Sequence, residues 1–297
     1  MSRAGRAGAA LLLAAAALGG CGGGGQPAAI ALPEKPAHIA GGVGGPFAVT
    51  ADGRVFPVAA ASPRRLSRVA PAPRGVATAR GSVWVAAPHA VVRIDPNGSR
   101  PAIRLPSRAG LTGLAASGNA VWTLAADGSL TRLDPERAIR SGAIPAALPN
   151  SRAVAIAAAP GAVWVVDAQG RLIQLDALGR RLRWIGVGKD PVDVAAGAGF
   201  AWVARADGTV LQVRPGTRGW RVRRIRGGDG PVAIAFGGGR AWLAGADGRL
   251  LALYPASGHQ ALIATVGAGV RDVAYSEGSV WVARGRGRGG EIVEVSP

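Results

Sequence analysis

Short apolar runs alternate with polar positions along this chain, and glycine, proline and Asp-Gly pairs separate the runs. The stretch Gly199-Phe-Ala-Trp-Val-Ala-Arg-Ala-Asp-Gly-Thr-Val-Leu-Gln-Val-Arg-Pro215 shows the pattern in full. It predicts a strand, a tight turn at Asp207-Gly208, and a second strand that ends at a proline. A period of two with Gly-rich punctuation selects strands over helices. The Asp-Gly pair suits a two-residue type I′ hairpin, whose central residues both need positive φ. The same turn is expected at Asp52-Gly53, Asp127-Gly128, Gln169-Gly170 and Asp247-Gly248, which makes these aspartates turn formers.

The unit recurs. Trp84, Trp164, Trp202, Trp242 and Trp281 lie in G-x-(V/A)-W contexts, Trp122 lies in the same context with its glycine one residue earlier, and Phe47 takes the same slot earlier still. The six intervals from Phe47 to Trp281 span 234 residues, a mean of 39. A period near 40 built from strand signals alone predicts a β-propeller with one four-stranded sheet per repeat. Each blade is then a strand about nine residues before the aromatic slot, the strand carrying it, a third after the turn, and a basic outer strand such as Arg221–Arg226. The fold class expected is all-β, a seven-bladed propeller over residues 28–297.

The two ends of the domain complete each other. The last repeat stops at Ile292-Val-Glu-Val-Ser-Pro297, where other repeats end their third strand at a proline. Blade seven therefore lacks its outer strand. Ala28-Ala-Ile-Ala-Leu32 reads as a fourth strand leading into blade one, so residues 28–32 are expected to close the ring and leave no open seam. A monomer is expected.

The first residues read differently. Met1–Arg6 is a short basic segment and Ala9–Leu18 an apolar one too short to span a bilayer. Leu18-Gly-Gly-Cys21 resembles the bacterial lipobox, apart from Gly19 where Ala or Ser is more usual. The resemblance implies a signal peptide over 1–20, lipid on Cys21, and a flexible tether over 21–27 that holds the domain at a membrane outside the cytoplasm. An ordinary cleaved signal is the alternative. Cys21 is the one cysteine of the chain, so lipidation would leave no thiol for catalysis, disulfides or metal.

Charge adds a candidate surface. The formal net charge is +18, and loss of Arg3 and Arg6 with the signal would leave +16. Arg64, Arg65 and Arg68, Arg180, Arg181 and Arg183, and Arg218, Arg221, Arg223, Arg224 and Arg226 fall on or near outer strands. This basic rim either protects sheet edges against pairing or attracts an anionic partner, such as phospholipid headgroups or an envelope polymer. Nucleic acid is not expected, because the aromatics occupy repeat slots instead of interleaving with arginine. Arg284-Gly-Arg-Gly-Arg-Gly-Gly290 replaces the blade-seven hairpin and reads as a contact loop or a floppy insertion. Arg271, Arg284, Arg286 and Arg288 are the binding candidates.

Candidate chemistry is sparse. The position nine before the aromatic slot runs His38, Gly75, Gly113, Ala155, Asp193, Ala233, Asp272. If it faces the central channel, Asp272 of blade seven neighbours His38 of blade one, with Arg271 beside them. His38, Asp193 and Asp272 are the candidates for a divalent metal or for acid–base work, against a purely structural contact between blades. His89 and His259 have no second histidine nearby in sequence. No HExxH, GxSxG, P-loop or Cys/His metal spacing is present, and no cofactor other than that metal is expected.

The pattern G-x-x-P-x-x-V-A-x-G-x-G-x-x-W-V, seen at Gly188–Val203, resembles the bacterial YVTN/NHL-type propeller repeats, including streptogramin lyase-like proteins. The resemblance implies a seven-bladed ring with a polar top face. The lyase relatives would imply a metal-assisted His/Glu site, which this chain does not match: one His and two Asp stand at the candidate positions. The reading is a lipid-anchored module that binds a protein or envelope component. The alternatives are a metal-dependent lyase or hydrolase at the channel mouth and a structural role in the envelope.

Overall fold

The computed structural model describes residues 28–42, 45–58, 65–144 and 152–297. The proposed signal peptide, Cys21, the tether and Arg64 lie outside the described residues. Every element is a strand, β1 to β28 in chain order, and the strands form seven four-stranded antiparallel sheets arranged in a ring. Six sheets follow chain order from inner to outer strand. The seventh has the order β1-β28-β27-β26, so β1 (Ala28–Leu32) is the outer strand of the last blade. It pairs antiparallel with β28 (Gly289–Val295), from Ala28 opposite Glu294 to Leu32 opposite Gly290. The expected ring closure is the observed one.

The core lies between blades. Trp84, Trp122, Trp164, Trp202, Trp242 and Trp281 are all buried, as is Phe47 in the same slot. Each tryptophan sits opposite an alanine of its inner strand, Ala195 opposite Trp202 for example. A large ring beside a small residue fills the space to the next sheet. Trp242 of blade six thus stacks on Tyr275 of blade seven, ring centroids 6.2 Å apart and 8° from parallel. At the closure, Leu32 and Ile292 pack with Trp281 and with Ile39 and Phe56 of blade one.

The turns differ from expectation. Asp207 does not have positive φ; Gly208 does, at 82°, and its N–H donates to the Arg205 carbonyl at 3.1 Å. The loop holds three residues, Ala206 to Gly208, between β19 (Phe200–Arg205) and β20 (Thr209–Gly216). That length takes a type I turn closed by a left-handed glycine, not a type I′ turn. The aspartate is still a turn former: its Oδ1 accepts the Thr209 N–H at 2.9 Å. The type I′ geometry occurs at the opposite ends of the blades. Ala198 and Gly199 have φ of 50° and 77°, immediately before the strand that carries Trp202.

The blade-seven Gly-Arg stretch is likewise a hairpin and not a loop. β27 (Ser279–Arg286) and β28 stay paired up to Arg286 opposite Gly289, which leaves Gly287 and Arg288 as the turn.

Removing residues 28–32 uncovers Trp281 and Ile292 and opens the edge of β28. The deletion is expected to lower the calorimetric unfolding midpoint by roughly 10 °C or more, at about 2–4 °C per kcal/mol for a domain of this size. Size-exclusion chromatography is expected to show association through the opened edge. An unchanged midpoint would refute the closure.

Candidate functional site

The seven inner strands line a central channel, and a cavity of about 320 Å³ opens at the end where these strands begin. His38, Gly75, Gly113, Ala155, Asp193, Ala233 and Asp272 all line it, so the position nine before the aromatic slot faces the channel in every blade. In six of the seven inner strands a register shift falls immediately before this position, as between Val270 and Asp272. A bulge of this kind re-aims the next side chain. It leaves Arg271 unpaired and exposed at the mouth, with Arg74 also exposed there.

Two of the three candidate side chains meet. His38 Nδ1 lies 3.3 Å from Asp272 Oδ2, across the seam between blades one and seven. The imidazole also has a hydrogen bond to the Pro73 carbonyl of blade two. Asp272 accepts the Ile39 N–H at Oδ2 (3.0 Å) and the Val273 N–H at Oδ1 (2.8 Å). Asp193 repeats the motif two blades away. It accepts the Ile234 N–H of blade six at 2.9 Å and the Val194 N–H at 2.8 Å. Each carboxylate therefore joins its own inner strand to the next one. Gly75 shows what the position does elsewhere: an added Cβ would lie 3.1 Å from the Leu114 N of the next blade.

The two aspartates meet different fields. Burial pushes the Asp193 carboxyl up to about 7, helped by the negative charge of Asp272 and opposed by the two backbone N–H bonds and His38. For His38, burial works against the cation. The hydrogen bond to Asp272, that carboxylate's charge and the Pro73 carbonyl outweigh it, so the imidazole holds its proton above the usual histidine range. The result is a charge-compensated cluster whose donors and acceptors are spent on joining blades. Among the described residues, no group of three or more His, Cys, Asp or Glu side chains is placed to hold a metal ion.

The remaining candidates separate. Arg284 is half-buried in an ion pair with Glu291, itself buried, and Arg286 lies 3.6 Å from the same carboxylate. Arg286 and Arg288 are exposed at the hairpin tip. His89 occupies the turn between β7 (Ser82–Ala87) and β8 (Ala90–Ile94), and His259 lies against Tyr254 with ring centroids 6.0 Å apart. The sequence offered a structural contact between blades for these side chains, but not the bulge or the backbone N–H that each aspartate reaches in the next blade. Neither has a local signature, because the acceptor and its N–H are 41 residues apart for Asp193 and 233 for Asp272.

No family model matches the chain, and no curated protein matches it. Among solved structures it is similar to the WD40 domain of Pan2 from Neurospora crassa. That match has a TM-score of 0.74 and 12% identity, over 92% of this chain and 95% of that one. It is also similar to the computationally designed Ika8 protein, with a TM-score of 0.64 and 16% identity over 91% of this chain and 100% of that one. At such identities the likeness is one of fold.

Asp272→Ala leaves the Ile39 N–H without its acceptor and is expected to cost about 1–3 kcal/mol of stability. The pH dependence has a definite sign. Between the ordinary value of 3.8 and about 7, Asp193 is protonated when folded and ionised when unfolded. Its contribution therefore falls as pH rises through that window. A histidine raised above 6.5 contributes fully below that value and loses its contribution as pH rises through the folded one. Chemical denaturation at about pH 5 and about pH 8 is thus expected to show larger deficits for Asp193→Ala and His38→Ala at the lower pH. A deficit that grows toward the higher pH would overturn this account of the cluster.

Proposed function

We propose that this propeller is a lipid-anchored, extracytoplasmic binding module, held by lipid on Cys21, that takes an anionic protein or envelope component on its arginine-rich rim. The reading draws its compartment from the N-terminal sequence and its surface from the fold. One observation carries it: the outer strands of blades four and five, β17 (Arg181–Gly186) and β21 (Gly219–Arg226), present exposed arginines in series. Among the described residues none gives Arg221, Arg224 or Arg226 an acidic partner. Charged side chains blunt an exposed edge; β21 carries four, Arg221, Arg223, Arg224 and Arg226, where the other described outer strands carry at most two. The surplus supplies a field that steers anions and that salt screens.

The channel supports this reading by its chemistry. His38, Asp193 and Asp272 are engaged in holding blades together, whereas Arg221, Arg224 and Arg226 of the rim have no acidic partner among the described residues. The YVTN/NHL likeness supplies a precedent for exported propellers and carries no activity with it.

Two outcomes are expected. Cys21→Ser moves the chain from the membrane pellet to the soluble fraction, and the mature wild-type chain carries the mass of a lipid on its first residue. A photo-crosslinker at Val222, exposed on β21, captures a discrete partner in intact cells. Capture is expected to fall when Arg221, Arg223, Arg224 and Arg226 are all changed to Gln, or in about 0.5 M salt, where screening acts within a few Å. A soluble wild-type chain of unmodified mass would end the anchored reading. Capture unaffected by both salt and substitution would end the rim reading.

A further inference from the structure

Blade five differs from the three blades before it at one point. After the third strand, blades two, three and four carry Asp95, Asp134 and Asp176. These carboxylates cap the next turn by accepting backbone N–H groups, from Asn97, from Glu136 and Arg137, and from Leu178 and Arg180. Blade five has Arg214 there instead, and blade six Tyr254. Its turn manages without a cap because the hairpin is longer: β20 and β21 stay paired out to Gly216 opposite Gly219.

The exchange has a cost. Arg214 lies directly opposite Arg221, and Arg223 is opposite Gln212 two positions further along the same face. Like charges directly opposite on a sheet are destabilising. All three arginines are exposed, and they line one groove of about 330 Å³ between blades five and six. No acidic residue lines it; Phe200, Val222 and Pro255 supply its apolar part. Two of the guanidinium groups are already oriented. Arg214 sits over the Phe200 ring at 5.5 Å, and Arg223 donates to the Pro255 and Ala256 carbonyls at 3.4 and 3.1 Å. Fixing these side chains in advance lowers the ordering cost of binding.

We infer that this groove is a binding site for phosphoryl groups, with Arg214, Arg221 and Arg223 as its ligands. Guanidinium forks match phosphate oxygens in a planar, two-point geometry that one ammonium cannot offer. The bound anion relieves the repulsion between Arg214 and Arg221, and the apolar wall has room for a carbon skeleton where the phosphoryl group carries one. The inference deepens the rim reading and rests on it. The phosphoryl group belongs either to a soluble or polymeric phosphate or to a lipid headgroup, and the test separates these.

Residues 28–297 contain every strand of the ring, and this piece is titrated with tripolyphosphate by calorimetry. It is also sedimented with vesicles of phosphatidylglycerol in phosphatidylcholine. The groove double variant, Arg214→Gln with Arg221→Gln, is compared with Arg224→Gln plus Arg226→Gln, which removes equal charge from the other face of the same strand. The groove variant is expected to lose about tenfold or more in affinity, and the other no more than about twofold. Arg221→Gln alone is expected to bind more weakly yet unfold no earlier than wild type, because it ends the repulsion and keeps the Phe200 contact. Loss in the tripolyphosphate arm assigns a soluble phosphate, and loss in the vesicle arm alone assigns a headgroup. Equal losses in both doubles overturn the groove while leaving the rim reading intact. Absence of wild-type binding to either probe also overturns it, and the crosslinking at Val222 then decides the rim reading separately.

Discussion

The structure depends on one pairing, that of the first strand with the last. Seven sheets arranged in a ring bury their faces against one another, so a gap at any seam uncovers two faces at once. The chain itself crosses the seam between blades seven and one, because β1 leads directly into β2 (Pro36–Ala40); the break in the ring lies inside blade seven, between β1 and β28. The ring is held closed by β1 on β28, by Leu32 and Ile292 against Trp281, and by the Asp272 carboxylate on the Ile39 N–H. The charged cluster nearest the channel thus ties β26 (Val270–Ser276), the inner strand of the broken blade, to blade one. His38 adds a third blade to the same cluster through the Pro73 carbonyl.

This accounts for where the ionisable groups of the channel stand. Inner strands pack closely around an axis, and most of their channel-facing positions are Gly or Ala. A side chain long enough to reach the next blade is admitted where it can end on a backbone N–H. Asp193 and Asp272 meet that requirement in the same way, each bonding the N–H of the residue that follows it as well as one across the seam. Burial raises the pKa of Asp193, and its backbone bonds only partly offset that rise. A perturbed carboxyl in a cavity is usually a functional signal. Here the geometry accounts for it as a fastening whose charge is expensive to keep.

Much of this was legible in the sequence, for physical reasons. Burying a large ring between sheets imposes an aromatic slot at a fixed period, and a missing outer strand at one end with an extra one at the other implies closure. The channel-facing position could be counted back from the tryptophans because inner strands have nearly constant length. The turns were misread because loop length decides turn type, and Asp-Gly serves both a two-residue loop and a three-residue loop closed by glycine. The glycine-rich run after Arg284 looked irregular, yet it is paired strand, because the Arg284–Glu291 pair and alternating contacts tolerate glycine where a partner strand is supplied. The partners of Asp193 and Asp272 lie far away in sequence, and only the ring brings them together.

A repeat protein offers an internal comparison that a single-copy fold does not. Residues that recur are explained by the unit they build, so the informative positions are those where one copy departs from the others at a cost. Asp272 and Asp193 depart from Gly and Ala, and each recovers the cost through two hydrogen bonds that are present in the structure. Arg214 departs from the Asp of blades two to four and recovers nothing comparable: it lacks their turn cap, faces Arg221 across the ladder, and gains a stack on Phe200 worth about 0.5–1 kcal/mol at an exposed site. A local rule broken without compensation inside the fold directs attention to a partner outside it. By that criterion the channel belongs to the architecture of the ring, and the edge of blade five is where the chain faces something else.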